Sequence, residues 1–108
     1  MIDLLPRSLP YLEFIRGKPC LVCGKSGVDA HHLERVGAGN SRKRPSYRHF
    51  STIALCRIHH TEIHQLGTSG FLTKYGQPGL RFDLYREALS LVIEFFSGQE
   101  QPFFRDKG

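Results

Sequence analysis

The chain has 108 residues, 40% of them apolar and none of them Trp, a length that suits one domain with a thin core. No apolar run approaches the ~20 residues of a membrane-spanning helix, and Met1-Ile2-Asp3-Leu4-Leu5-Pro6 lacks the basic flank and long apolar stretch of a secretory signal, so a cytoplasmic protein without membrane partners is expected. Fifteen Lys+Arg against ten Asp+Glu give a net charge of +5, and collagen-like, coiled-coil and wholly disordered chains are excluded by composition.

Ser8-Leu9-Pro10-Tyr11-Leu12-Glu13-Phe14-Ile15-Arg16 predicts a short helix over 8–16, capped by Ser8, with Pro10 in its first turn and Gly17 at its end. A turn-rich knuckle follows over 18–27, in which Gly24 supplies backbone freedom after Cys23. Val28-Asp29-Ala30-His31-His32-Leu33 reads as a strand, residues 37–48 as a long Gly-, Arg- and Ser-rich loop, and 50–55 as a second strand. Residues 57–66 predict a helix stopped by Gly67, with Ile63, Leu66 and Ile58 as its core-facing candidates, and 71–80 predict mostly loop. The C-terminal helix is expected over about 81–97. Its Phe82, Tyr85, Leu89, Val92, Ile93 and Phe96 recur at helical spacing, as a core stripe or an interaction face.

The basic excess is local. Arg35, Arg42, Lys43, Arg44, Arg48 and Arg57 fall in an interval that contains no acid. Such a stretch suits a polyanion, nucleic acid first, with a solvated loop as the plainer alternative.

Three cysteines without a secretory signal argue against a disulfide framework and for a metal. Cys20 and Cys23 are separated by two residues, and Cys56 and His59 repeat that spacing. Three thiolates and one imidazole form a common ligand set for structural zinc, which would hold the loop-rich 20–60 region together. The remaining histidines also cluster. His31 and His32 point to opposite sides of a strand, and His60 and His64 share a helical face. His31, His60 and His64 would make an open site for a catalytic divalent ion, with His32 beside it as general base. Imidazole-rich sites accept several ions, so Mg2+, Mn2+ and Zn2+ all stay open.

These pieces together, Cys20-x2-Cys23-Gly24, Asp29-Ala30-His31-His32-Leu33 and Leu55-Cys56-Arg57-Ile58-His59-His60-x3-His64, resemble the HNH nucleases. The similarity runs from about Tyr11 to Gly67 and is greatest to phage and prophage HNH proteins of the Ref type, a RecA-dependent nuclease. The resemblance implies an α+β fold: a small zinc-stabilised ββα-metal core at about 18–67 with flanking N- and C-terminal helices, in one domain over 1–108. It implies that His31, His60 and His64 bind the catalytic ion, that His32 is the general base, and that Cys20, Cys23, Cys56 and His59 bind zinc, His59 replacing a more usual Cys. The middle signature residue, usually Asn, orients the base. Here the count back from Cys56 reaches Ser51, with His49 or a backbone carbonyl as alternatives.

The expected function is therefore endonucleolytic hydrolysis of DNA with little sequence preference in a bacterial host cell, leaving 5′-phosphate and 3′-hydroxyl ends. Arg35, Arg42, Lys43, Arg44 and Arg48 would contact backbone phosphates, and Gly37-Ala38-Gly39-Asn40 would let the loop approach the duplex. Two other readings stay open: a zinc-stabilised DNA-binding module without catalysis, and a subunit that acts only with a recombinase filament. The apolar stripe on 81–96 would then dock that partner, or a second copy in a homodimer.

Overall fold

The structure is a computed structural model that describes residues 3–35, 43–76 and 84–99. Two antiparallel strands, β1 (Val28–His32) and β2 (Thr52–Cys56), form its sheet, in the register Val28↔Cys56, Ala30↔Ala54 and His32↔Thr52. Helix α1 (Ser8–Arg16) precedes them. Helices α2 (Arg57–Tyr75) and α3 (Leu84–Gln99) follow, and the whole is a small α+β unit. Among the described residues no helix is long and apolar enough to cross a membrane.

β2 is buried along its whole length, which its Thr-Ile-Ala-Leu-Cys sequence allows because it offers no charge to either face. Tyr11, Leu12 and Ile15 of α1 and Leu84, Ala88 and Phe95 of α3 bury against it. Tyr11 meets Phe95 edge-on with ring centroids 5.2 Å apart, and Phe14 lies 5.3 Å from the same ring. Each such fully buried side chain is worth about 1.5–3 kcal/mol. Lys18 ties the knuckle to α3 through an ion pair with Glu94.

The predicted elements stand close to the observed ones, with five corrections. Ser8 does not cap α1. A 3₁₀ turn over Leu5–Arg7 runs directly into the helix, and the Ser8 hydroxyl donates instead to the Leu5 carbonyl, at 2.7 Å. The C-terminal part of the 37–48 loop winds into a 3₁₀ helix over Tyr47–Ser51, so β2 begins at Thr52 rather than 50. Gly67 does break α2, with φ 76° and ψ 164°, but the chain resumes helical turns beyond it. The segment expected as loop thus places Phe71 in the core, fully buried, and the core extends past 67. Ile63 of α2 is buried, whereas Ile58 and Leu66 are 67% and 44% exposed and do not face the core.

The fifth correction concerns α3. Tyr85, Leu89 and Ile93 lie outward, each more than half exposed, and Leu84, Ala88 and Phe95 turn inward instead. Ala88 is small enough to let the helix approach the sheet. Val92 and Phe96 are half-buried against the core. Phe82, Arg42 and Gly37-Ala38-Gly39-Asn40 lie outside the described residues.

Candidate metal centres

Cys56 ends β2, and His59 sits in the first turn of α2 just beyond it. The knuckle reaches them because the Leu21 amide donates to the Ala54 carbonyl at 2.9 Å, and Gly24, at φ 78°, turns the chain after Cys23. Cys56 Sγ lies 3.2 Å from His59 Nδ1, Cys20 Sγ lies 3.7 Å from the same nitrogen, and Cys23 Sγ lies 3.8 Å from Cys56 Sγ. The two sulfurs are far beyond disulfide length, about 2.05 Å, and all three thiols are free. The four ligand atoms lie within 4.8 Å of one another, an arrangement that could hold a metal ion.

The electrostatics of the thiols differ. Burial opposes the Cys20 thiolate, but backbone hydrogen bonds from the Cys56, Cys23 and Val22 region and the Cys23 thiol outweigh it and bring the group from 9.0 down to about 6. At Cys23 the Lys25 backbone favours the thiolate, yet desolvation and the Cys20 and Cys56 sulfurs push the group up. One anion in the cluster resists the next, which is the imbalance a cation removes. His59 is braced from behind by Tyr75, whose ring meets it edge-on at 5.6 Å. Tyr75 in turn donates its hydroxyl to Glu62, whose carboxyl Lys74 and then Tyr75 hold below its ordinary range.

The next residue of α2 serves a second cluster. His60 and His64, one turn apart, have ring centroids 4.9 Å from each other, and each lies 5.1 Å from His31 on β1. Their ligand nitrogens also lie within 4.8 Å of one another. His31 is buried, His60 half-buried and His64 exposed, so the cluster opens to solvent on one side. Asp29, two residues before His31 and so on the same face of β1, accepts from His60 Nδ1 at 3.0 Å and also pairs with Arg57 Nε at 3.2 Å. This bond fixes the His60 tautomer. Its Nε2 is then a lone-pair donor, and that atom is buried with no hydrogen-bond partner among the described residues.

His32 points to the other side of β1, where its Nε2 lies 2.8 Å from Nδ1 of His49, a fully buried ring. His49 Nε2 donates to the Arg44 carbonyl at 2.7 Å. A carbonyl only accepts, so with both rings neutral one tautomer satisfies both bonds: His49 accepts at Nδ1 the proton carried by His32 Nε2, and His32 Nδ1 is left as the basic nitrogen.

Ser51 does not take part. Its hydroxyl donates to the Arg48 carbonyl at 2.7 Å and accepts from the Glu34 amide at 3.0 Å, away from His32. The 3₁₀ winding of Tyr47–Ser51 explains the difference, because it directs His49 inward and leaves Ser51 at the surface. Arg35, Lys43, Arg44 and Arg48 are all exposed, and Arg48 donates to the Arg35 carbonyl. Sequence reasoning missed Asp29, though its strand spacing from His31 was a usable signal. It also missed Tyr75, for which no signal existed because its contact depends on the turn at Gly67.

The family described as "Protein of unknown function (DUF968)" matches residues 6–92. An uncharacterized protein, YdfU of Escherichia coli (strain K12), is 34% identical over 84 residues, covering 77% of this chain and 23% of the relative. The chain thus spans less than a quarter of the curated relative it matches. No solved structure matches.

Proposed function

The chain belongs to the DUF968 family, and we propose that it is a metal-dependent endonuclease of the HNH, ββα-metal kind that hydrolyses DNA phosphodiester bonds. The observation that carries the reading is His60: Asp29 holds one ring nitrogen, and the other, buried and without a hydrogen bond, faces His31 and His64. A carboxylate behind a ligating imidazole is the arrangement that orients metal ligands. Three protein donors with an exposed edge at His64 leave room for water and a phosphate.

Zinc is the ion we assign to the other cluster. Three thiolates and one imidazole are a donor set that zinc would take in a closed structural site. The three separations here are 3.8 Å for Cys23–Cys56, 3.7 Å for Cys20–His59 and 3.2 Å for Cys56–His59. Its work is structural, joining knuckle, sheet and helix.

His31, His60 and His64 would hold the catalytic ion, which would supply charge stabilisation to the phosphoryl transfer. His32 Nδ1 takes a proton from water as the water oxygen attacks phosphorus and the bond to the 3′ oxygen breaks, and the departing oxygen takes a proton from solvent to become the 3′-hydroxyl. His49 holds the His32 ring in place, and its Nδ1 accepts from the imidazolium that forms. The Arg44 carbonyl fixes the His49 tautomer. Arg35, Lys43, Arg44 and Arg48 supply positive charge for the DNA backbone, so binding should weaken steeply with salt.

Plasmid nicking in Mg2+ or Mn2+, with metal content measured alongside, tests this. The parent should carry two ions per chain and nick DNA. His32→Ala should lose about 10²–10⁴-fold in rate with its zinc and melting temperature unchanged. His49→Gln should lose less and shift the pH–rate profile. A parent that nicks nothing with either ion, or a His32→Ala protein that cuts at the parent's rate, would overturn the assignment.

A further inference from the structure

An open apolar groove of about 360 Å³ is lined in part by residues adjacent in the chain to the His32–His49 pair. Arg48 and Phe50, which flank His49, line it, as does Glu34, two residues after His32 and so within about 7 Å of chain. Tyr47, Tyr85 and Leu89 also line it and are 57%, 53% and 59% exposed. Each tyrosine is anchored at its hydroxyl, Tyr47 to Asp3 and Tyr85 to Glu34, which limits the swing of the rings.

The chemistry of this wall is that of a nucleotide. Aromatic rings give a base a stacking surface whatever its sequence, and guanidinium groups take the phosphates on either side. Glu34 is the acid in the wall and is engaged by Tyr85, whereas Arg48 lines the groove as its cation and Arg35, whose carbonyl Arg48 bonds, brings a second positive charge beside it. A protein partner would use the Leu89 face without need of those cations. A paired base could not enter, because both its faces are stacked and its edge is engaged.

We propose that the groove seats an unpaired base of the strand whose phosphate lies at His32, so that the substrate class is single-stranded or locally unpaired DNA. The identity of the strand rests on the nuclease reading above, but the binding does not. The probe is a fluorescein-labelled oligothymidine, compared by anisotropy with a labelled hairpin duplex of equal phosphate number, using His32→Ala protein to prevent turnover. The single strand should bind at least about tenfold more tightly than the hairpin. Tyr47→Ala and Tyr85→Ala should each weaken the single strand about tenfold and leave the hairpin unchanged, and Tyr85→Phe should restore binding. A 5-iodouracil-substituted oligothymidine should crosslink to Tyr47 or Tyr85 in protein with both rings intact, which gives the same answer should a variant fail to fold. Equal affinity for the two DNAs, tyrosine variants that bind like the parent, or crosslinks confined to other residues would overturn the proposal and leave the groove to a protein ligand. Tyrosine-dependent binding in a protein that never nicks DNA would remove the cleavage reading alone. Nicking of duplex indifferent to the tyrosines would remove the groove alone.

Discussion

His59 and His60 are neighbours on the first turn of α2, yet they serve opposite purposes. His59 completes a set of four donors, three of them sulfur, with Cys20 and Cys56 buried. His60 is one of three nitrogen donors in a set that reaches the surface at His64. The first cluster gathers elements 39 residues apart in the chain and closes on itself. The second is assembled on elements already fixed and keeps a side open. A closed set of thiolates suits folding, and an open set of imidazoles suits chemistry.

Removing a donor from each cluster should separate these roles. Cys56→Ser is expected to have the largest effect: loss of the metal proposed for this cluster and of a cooperative melt, because so small a core does not hold the knuckle alone. Circular dichroism with metal analysis reads it, and a variant that melts like the parent would refute a structural role. Acid should act on the same cluster. Against burial, backbone and thiol hydrogen bonds bring Cys20 from 9.0 down to about 6 in the metal-free fold, so its stabilising contribution is complete above the ordinary value and is lost as pH falls through about 6. Melting temperature should drop progressively from pH 9 to pH 5, with metal passing to a chromogenic chelator at the acid end, and a flat profile would contradict this. Asp29→Asn addresses the open cluster. Mn2+ affinity, measured by calorimetry, should fall about 10–100-fold with zinc retained, and loss of both ions together would show that the clusters are not separable. Gly67→Ala should act more mildly on the brace behind His59. No atom crowds a side chain there, but φ 76° with ψ 164° strains any residue other than glycine, so a cost of about 1–3 kcal/mol is expected. Denaturant titration measures it, and an unchanged midpoint would show that the turn is not required.

The sequence carried much of this arrangement because spacing is informative where local geometry is regular. The Cys20–Cys23 pair, the opposed His31 and His32 and the helical His60–His64 pair all follow from the periods of turns, strands and helices, and α1 begins and ends where its apolar pattern does. Irregular winding defeated the same arithmetic. A fixed count from Cys56 reaches Ser51, but the 3₁₀ segment places His49 against His32. On α3 two apolar stripes of similar strength compete. Which one faces inward depends on the fit of Phe95 between Tyr11 and Phe14, a tertiary contact with no local signature. The helical turns after Gly67 were hidden because one glycine was read as an ending rather than a corner.

The adjacency of His59 and His60 has a consequence for how this chain tolerates change. One residue inserted between them would rotate the second imidazole by about 100° and point it away from Asp29 and His31. Side chains around this step have latitude to drift over generations, but its length does not, so insertions and deletions should be found elsewhere among the chain's descendants.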